Sequence, residues 1–382
     1  MSINNQATPD IIHTPEKLES LVKKLGRETV LAFDLEADSM HHYREKVCLI
    51  QVATSSEAYL IDPLALADMS SLSSLLTNPA IRKVFHGADY DVRSLRRDFS
   101  LEINNLFDTM IACQFLGERE VGLAAALKKR FGVELDKRFQ KADWSKRPLE
   151  PAMIEYARAD TSLLVALYRQ LEEELKVKGR LSWVEEESGL VARAAVADRE
   201  KTPLFRRFRG ADKMDGRTLA VLEELLKLRD RKAQMYDRPP FKILSHETLC
   251  ALAENRPLTQ AELHGIPGLS AKLAERYGME ILKSVAKGVN TPEGKLPRFP
   301  REERPKKDRV LMERCSRLKL WREAKASELG IDAGVLASNS LFAALAACAP
   351  RDMAELGKVG VLRNWQRTVF GEELLRALSA GG

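Results

Sequence analysis

Val30-Leu31-Ala32-Phe33-Asp34-Leu35-Glu36-Ala37-Asp38 is the stretch on which the fold turns. It opens as an apolar run compatible with a β-strand and then sets two carboxylates two residues apart. On a strand alternate side chains share a face, so Asp34 and Glu36 point the same way. Like charges side by side repel unless a cation sits between them. Hard divalent cations take oxygen ligands of this kind. Taken alone, Asp-x-Glu more often marks a strand end entering a turn, with both acids solvated. The balance therefore depends on whether further carboxylates arrive from elsewhere in the chain.

Working outward, Thr14-Pro15-Glu16 reads as a helix start, with a hydroxyl cap, a first-position proline and an acid. Leu18, Leu21, Val22 and Leu25 supply its apolar face. Val47–Ala53 and Ala58–Ile61 read as a hairpin of strands around Ser55-Ser56. A helix over Ser70–Leu76 leads to a short strand at Lys83–Phe85. His86-Gly87-Ala88-Asp89-Tyr90-Asp91 then opens another helix, at whose start Asp89 and Asp91 compete as candidate ligand, the one left over serving as cap. Leu106-Phe107 is a further short strand, and Asp108 caps the helix after it. Strands alternating with helices, plus one antiparallel hairpin, predict a mixed α/β sheet. Glu150–Lys176 reads as one long helix, on which Tyr156 and Asp160 lie four apart and share a face.

The 382 residues allow two or three domains with their own cores. An apolar share of 45% with 30% charged residues describes a globular chain, not a disordered one. Five cysteines lie far apart with no CxxC pair, which argues for free thiols in a reducing compartment and against a zinc site. No signal peptide or bilayer-spanning run is evident, so a cytoplasmic protein without membrane contact is expected. The net charge is only +6, but Lys128–Arg147 holds eight basic residues against three acids. Such a local excess attracts polyanions.

Beyond Lys178 the sequence reads as helical throughout. Leu226-Lys227-Leu228 recurs as Leu318-Lys319-Leu320, 92 residues on. At an offset of 93, Leu263 matches Leu356 and Tyr277-Gly278 matches Phe370-Gly371. Two copies of one small helical domain follow. Between them, prolines at 292, 297, 300 and 305 mark a basic strap. The expected boundaries are 1–205 for the α/β domain, 211–290 and 308–382 for the modules, and 291–307 for the linker. Trp321 and Trp365 are read as core of the last module.

Asp34, Glu36, Asp91 and Asp160, with Tyr156 one helical turn before the last acid, resemble the three-motif pattern of the DEDD exonucleases in the tyrosine subclass. Phe33–Glu36 resembles the first motif, His86–Leu95 the second and Tyr156–Asp160 the third. Leu135-Asp136-Lys137 and Asp143–Leu149 are similar to the run preceding the third motif in the bacterial ribonuclease D family. The repeated modules resemble the HRDC domain, and a tandem pair after such a nuclease is that family's layout. The resemblance implies a ribonuclease H-like (DnaQ-like) α/β exonuclease domain followed by two all-α bundles.

It further implies a monomeric 3′→5′ exoribonuclease trimming tRNA precursors and other small structured RNAs, with single-stranded DNA as an in vitro substrate. The implied cofactors are two divalent ions, Mg²⁺ or Mn²⁺, held by Asp34, Glu36, Asp91 and Asp160. Tyr156 would orient or deprotonate the attacking water. His86, Lys137, Trp144, Arg147, Arg206, Arg207 and Arg209 are candidate RNA contacts. The site motifs do not separate ribose from deoxyribose, so a DNA exonuclease of repair stands as the alternative. A non-catalytic binding scaffold is the other, disfavoured because all five catalytic-type residues are present.

Overall fold

The computed structural model of the chain describes residues 11–194, 202–299 and 308–379. Two compact units emerge. One holds the described parts of Met1–Ala37, Val47–Val196 and Lys306–Gly382, the other those of Asp38–Lys46 and Ala197–Pro305.

The first unit begins with α1 (Pro15–Leu25), capped by the Thr14 hydroxyl. Then come β1 (Val30–Ala37), β2 (Val47–Ala53), β3 (Ala58–Ile61), α2 (Ser73–Leu76), β4 (Arg82–Phe85) and α3 (Asp89–Phe99). After them run β5 (Leu106–Asp108), α4 (Thr109–Leu116), α5 (Leu123–Phe131), α6 (Pro151–Ser162), α7 (Leu164–Val177) and α8 (Leu181–Ala192). The sheet order is β3-β2-β1-β4-β5. The pairs β1–β2 and β2–β3 are antiparallel, and β1–β4 and β4–β5 are parallel. This is the expected mixed sheet, with β1 as its middle strand. The period of two divides β1 cleanly. Leu31, Phe33 and Leu35 enter a core with Leu18, Leu21, Val92 and Leu95. Ala32, Asp34 and Glu36 take the opposite face, and α6 and α7 both pack against β1.

The helix expected over Glu150–Lys176 is two helices, broken at Leu163 (φ −103°, ψ −1°). At the break the Ser162 hydroxyl donates to the Ala159 carbonyl at 3.1 Å, in competition with the backbone ladder. The break lets α6 pack against β2 and β3 while α7 packs against β4 and α4.

In the second unit, α9 (Gly216–Met235) lies against α12 (Ala271–Val289), with α10 (His246–Asn255) and α11 (Gln260–Leu263) completing the module. Asp215, Ser245, Thr259 and Ser270 cap these four helices through their side chains. The segment 38–46 belongs to this unit through Tyr43, whose hydroxyl donates to Asp230 at 2.9 Å and whose N–H donates to Asp237 at 3.1 Å. His42 meets the same Asp237 carboxylate at 2.7 Å, so it serves a structural hydrogen bond. The strap expected at 291–307 is partly ordered onto the module: Glu293–Lys295 form a turn of 3₁₀ helix and Phe299 packs edge-on to Phe205. Its remaining residues, 300–307, lie outside the described ones.

The second helical copy comprises α13 (Arg309–Leu329), α14 (Ala333–Leu336), α15 (Asn339–Cys348), α16 (Met353–Leu356) and α17 (Asn364–Ser379). The sequence repeat has a packing reason. A Cβ on Gly278 would lie 3.2 Å from Leu263 Cδ1, and one on Gly371 would lie 3.3 Å from Leu356 Cδ2. In both copies a helical glycine thus lets the short helix press its leucine against the long one.

This copy does not stand apart from the α/β domain, as its sequence boundary suggested. Its core is continuous with that of α4, α7 and α8. Trp365, 4% exposed, stacks on Trp183 of α8 at 4.8 Å and meets Phe115 edge-on. Glu186 accepts the N–H groups of Asn364 and Trp365 at the start of α17, at 2.7 and 2.9 Å. Glu187 accepts from the Trp365 indole N–H and from Arg363. Arg180 donates to the carbonyls of Phe115 and Leu329, both at 2.8 Å. A Cβ on Gly117 would fall 1.9 Å from the Gly330 carbonyl oxygen, so only glycine allows that approach. Trp365 is therefore part of a joint core, not of an isolated module. Trp183→Ala and Trp365→Ala should each cost about 3–5 kcal/mol of unfolding free energy in the full chain. The double variant should lose less than their sum by roughly 0.5–1.5 kcal/mol. Denaturant titrations giving strict additivity would deny the stack any energetic role.

Candidate active site

β1 carries Asp34 and Glu36 half-buried on one face. Asp91 sits in the first turn of α3 and is 7% exposed. Burial, reinforced by the charges of Asp34, Asp108 and Asp89, holds the Asp91 carboxyl well above the usual carboxylate range. Asp34 and Asp91 thus bear on one another directly, a pairing that is costly when both are ionised.

The approach to α3 is fixed from the neighbouring strand. Asp108, 2% exposed, accepts the N–H groups of Gly87 and Ala88 at 2.9 and 2.8 Å. It also accepts that of Met110, as the expected cap of α4. Beside it the Thr109 hydroxyl donates to the Phe85 carbonyl at 2.9 Å, which leaves its oxygen to accept from His86 Nδ1–H at 2.9 Å. Burial lowers the His86 pKa, outweighing Asp108, and favours the neutral ring. Asp89 is not the cap expected of it. Ala88 occupies that position, and Asp89 pairs across one turn with Arg93 on the exposed side.

Tyr156 lies on α6, which packs against β1, β2 and β3. Its ring is 8% exposed, set edge-on to Phe139 at 5.7 Å and tilted against Trp144 at 6.0 Å. It belongs to a cluster with Leu49, the cross-strand partner of Glu36, so the phenol and the two β1 acids share one side of the sheet. Asp160 follows one turn later on α6; its side chain lies outside the described ones. Among the described residues no three acids, histidines or cysteines converge tightly enough to enclose a metal. Even so, the donors fit a hard divalent cation. All are carboxylate oxygens, and the Asp34–Asp91 repulsion is what a cation would relieve.

Three expected RNA contacts are committed elsewhere. Trp144 is 1% exposed and its indole N–H donates to the Phe139 carbonyl at 3.2 Å, so no face is open to a base. Arg147 grips Asp62 through Nε and Nη2 at 2.6 and 2.7 Å, and donates to the carbonyls of Trp144, Lys146 and Cys48. It is a structural clamp, with its guanidinium engaged by Asp62 and three carbonyls. His86 is tied to Thr109 as described. The basic excess of 128–147 is also damped locally: Lys128 pairs with Glu134, Lys129 and Arg130 with Glu118, and Arg138 with Asp136. Lys137 is exposed there, as are Arg206, Arg207 and Arg209 in the second unit.

The acid pattern alone does not point to Asp108 as anchor of the α3 approach, nor to Gln51. The latter is the one polar residue in the fully buried strand β2, a signal that was available in Val47–Ala53. A carboxyl harder to ionise folded than unfolded contributes stability that is full below its unfolded value, near ~3.9. That stability drains as pH climbs through the folded value. Asp91→Asn removes this loss. In EDTA its Tm should exceed wild type by a margin that widens from about pH 5 to about pH 8. Saturating Mg²⁺ should reverse the order, and a pH-independent difference would contradict the repulsion.

A family model described as 3′-5′ exonuclease matches residues 9–176, and one described as HRDC domain matches 218–285 and 312–378. A Ribonuclease D of Gluconacetobacter diazotrophicus is 32% identical over 371 residues, 96% of this chain and 92% of its own. The crystal structure of Escherichia coli RNase D, described as an exoribonuclease involved in structured RNA processing, superposes with a TM-score of 0.70 at 26% identity. That match covers 98% of this chain and 99% of the other. The catalytic core of RRP6 from Trypanosoma brucei gives 0.63 at 31% identity, over 76% of this chain and 81% of that one.

Proposed function

Because this chain belongs to the ribonuclease D family and is a 3′→5′ exoribonuclease, we propose that it trims the 3′ trailers of tRNA precursors and other small structured RNAs. Hydrolysis would release nucleoside 5′-monophosphates one at a time. The observation that carries this reading is the half-buried Asp34 set against a nearly enclosed Asp91, which is unfavourable without a cation. In our reading Asp34, Glu36, Asp91 and Asp160 hold two divalent ions, Mg²⁺ or Mn²⁺. Bound there, such ions activate water and offset charge on the phosphate and on the leaving oxygen.

The chain's own groups do the rest. Asp34 and Glu36 project from a central strand and Asp91 from a clamped helix start, so the donors are held before any ligand arrives. Tyr156 orients the attacking water through its hydroxyl. A phenol with a reference pKa near ~10 is a poor base unaided, so orientation comes first and proton removal second. The rings of Phe139 and Trp144 hold that phenol in place. Lys137, Arg206, Arg207 and Arg209 are assigned to phosphate contacts, which position RNA without reading its sequence. The helical modules are assigned to hold structured RNA. Five cysteines without a disulfide among the described residues fit a reducing, cytoplasmic setting, and we take the enzyme to be a monomer.

Asp34→Asn should abolish cleavage of a 5′-labelled RNA in Mg²⁺ while leaving the circular dichroism spectrum unchanged. Near-normal turnover would remove Asp34 from the site. Tyr156→Phe keeps the ring and deletes the hydroxyl. Single-turnover rates should fall about 10²–10⁴-fold, the usual scale for an acid–base group. Equal rates would make the tyrosine structural.

A further inference from the structure

Gln51 lies at the middle of β2, is 0% exposed, and neither Nε2 nor Oε1 has a hydrogen-bond partner among the described residues. A primary amide offers two donors and an acceptor with two lone pairs, and buried polar groups left unpaired are rare and unfavourable. The remainder of β2 is Val47, Cys48, Leu49, Ile50, Val52 and Ala53, all buried. An apolar side chain would fit this strand without that cost, so the amide calls for a reason.

Its register supplies one. Gln51 is the direct cross-strand partner of Asp34. Directly opposed residues of an antiparallel pair share a face, with Cβ atoms about 4.5–5.5 Å apart. Leu49, two residues before it, is paired in the same way with Glu36. Gln51 therefore stands on the acid-bearing face of the sheet, and α6 packs across β2 there. On α6 the hydroxyl of Thr161, next in sequence to Asp160 and fully buried, is likewise without a partner among the described residues. Unpaired neutral polar groups thus occur on two elements that border the acids.

We propose that Gln51 is a positioning residue of the cation site, a role resting on the carboxylate reading above. Its Nε2–H donates to the Asp34 carboxylate oxygen that does not face the ion, and its Oε1 accepts from water in the ion's shell. A bound cation and its water would satisfy the amide. Gln51 touches no reacting atom; it fixes the rotamer of a residue that does. Partners of this outer kind are worth about 10–100-fold in metal affinity.

The test uses the full chain, with Mn²⁺ binding followed by electron paramagnetic resonance of the free ion and Tm measured in EDTA and in Mn²⁺. Gln51→Leu keeps the volume and removes the amide; Gln51→Met is a second variant of similar length, and Asp34→Asn is the control. Both Gln51 variants should bind Mn²⁺ about 10–100-fold more weakly. In EDTA they should melt no lower than wild type, because an unpaired amide has been replaced by an apolar group. Raising Mn²⁺ should restore their cleavage rate. Wild-type Mn²⁺ affinity in both variants, or an equal Tm loss in EDTA and in Mn²⁺, would make Gln51 purely structural and overturn the proposal. Undiminished Mn²⁺ binding by Asp34→Asn would instead overturn the carboxylate reading itself, so the two failures are distinguishable.

Discussion

Two carboxylates that repel each other, one of them nearly sealed from water, are the constraint around which the nuclease part of this chain is arranged. Asp34 bears on Asp91, and burial adds to the cost of ionising the latter. A fold tolerates such an arrangement only where the backbone on both sides is held by other means. β1 is held because it is the middle strand, paired with β2 on one edge and β4 on the other. The start of α3 is held by Asp108, whose carboxylate gathers amide groups from the starts of two helices. Strain in the acids is therefore opposed by hydrogen bonds that do not themselves involve the acids.

The same division of labour extends to the aromatic side of the site. Trp144 and Arg147 come from the basic run before α6, and both were candidate RNA contacts. Folded, both turn inward. Trp144 backs the Tyr156 ring, and Arg147 ties its loop to Asp62 and to the β2 carbonyl of Cys48. They support the side of the site on which the phenol is set, while Lys137 of the same run stays exposed.

Much of this was legible in the sequence because it rests on local rules. The period of two in Val30–Glu36, the hairpin around Ser55-Ser56 and the cap at Asp108 are short-range signals, and the strands and helices follow them closely. The helical repeat was visible because Gly278 and Gly371 each admit a leucine from the short helix before them, a need that both copies share. What the sequence did not reveal depends on long-range contacts. The break at Leu163 comes from two different surfaces claiming α6 and α7. The burial of Trp144 depends on Tyr156, and the placing of Trp365 depends on Trp183, 182 positions earlier in the chain. Two modules alike in sequence thus have different packing: the second shares a core with the α/β domain, while the first forms a core of its own with Tyr43 and Phe299.

The central claim is that Asp34, Glu36, Asp91 and Asp160 converge to hold divalent ions for hydrolysis at an RNA 3′ end. Anomalous diffraction from crystals of the full chain soaked in Mn²⁺ with a nucleoside 5′-monophosphate tests it most directly. Manganese peaks should appear beside carboxylate oxygens of these four residues, next to the nucleotide phosphate. Manganese bound elsewhere, with the carboxylates of Asp34 and Asp91 left uncoordinated beside an ordered nucleotide, would contradict it.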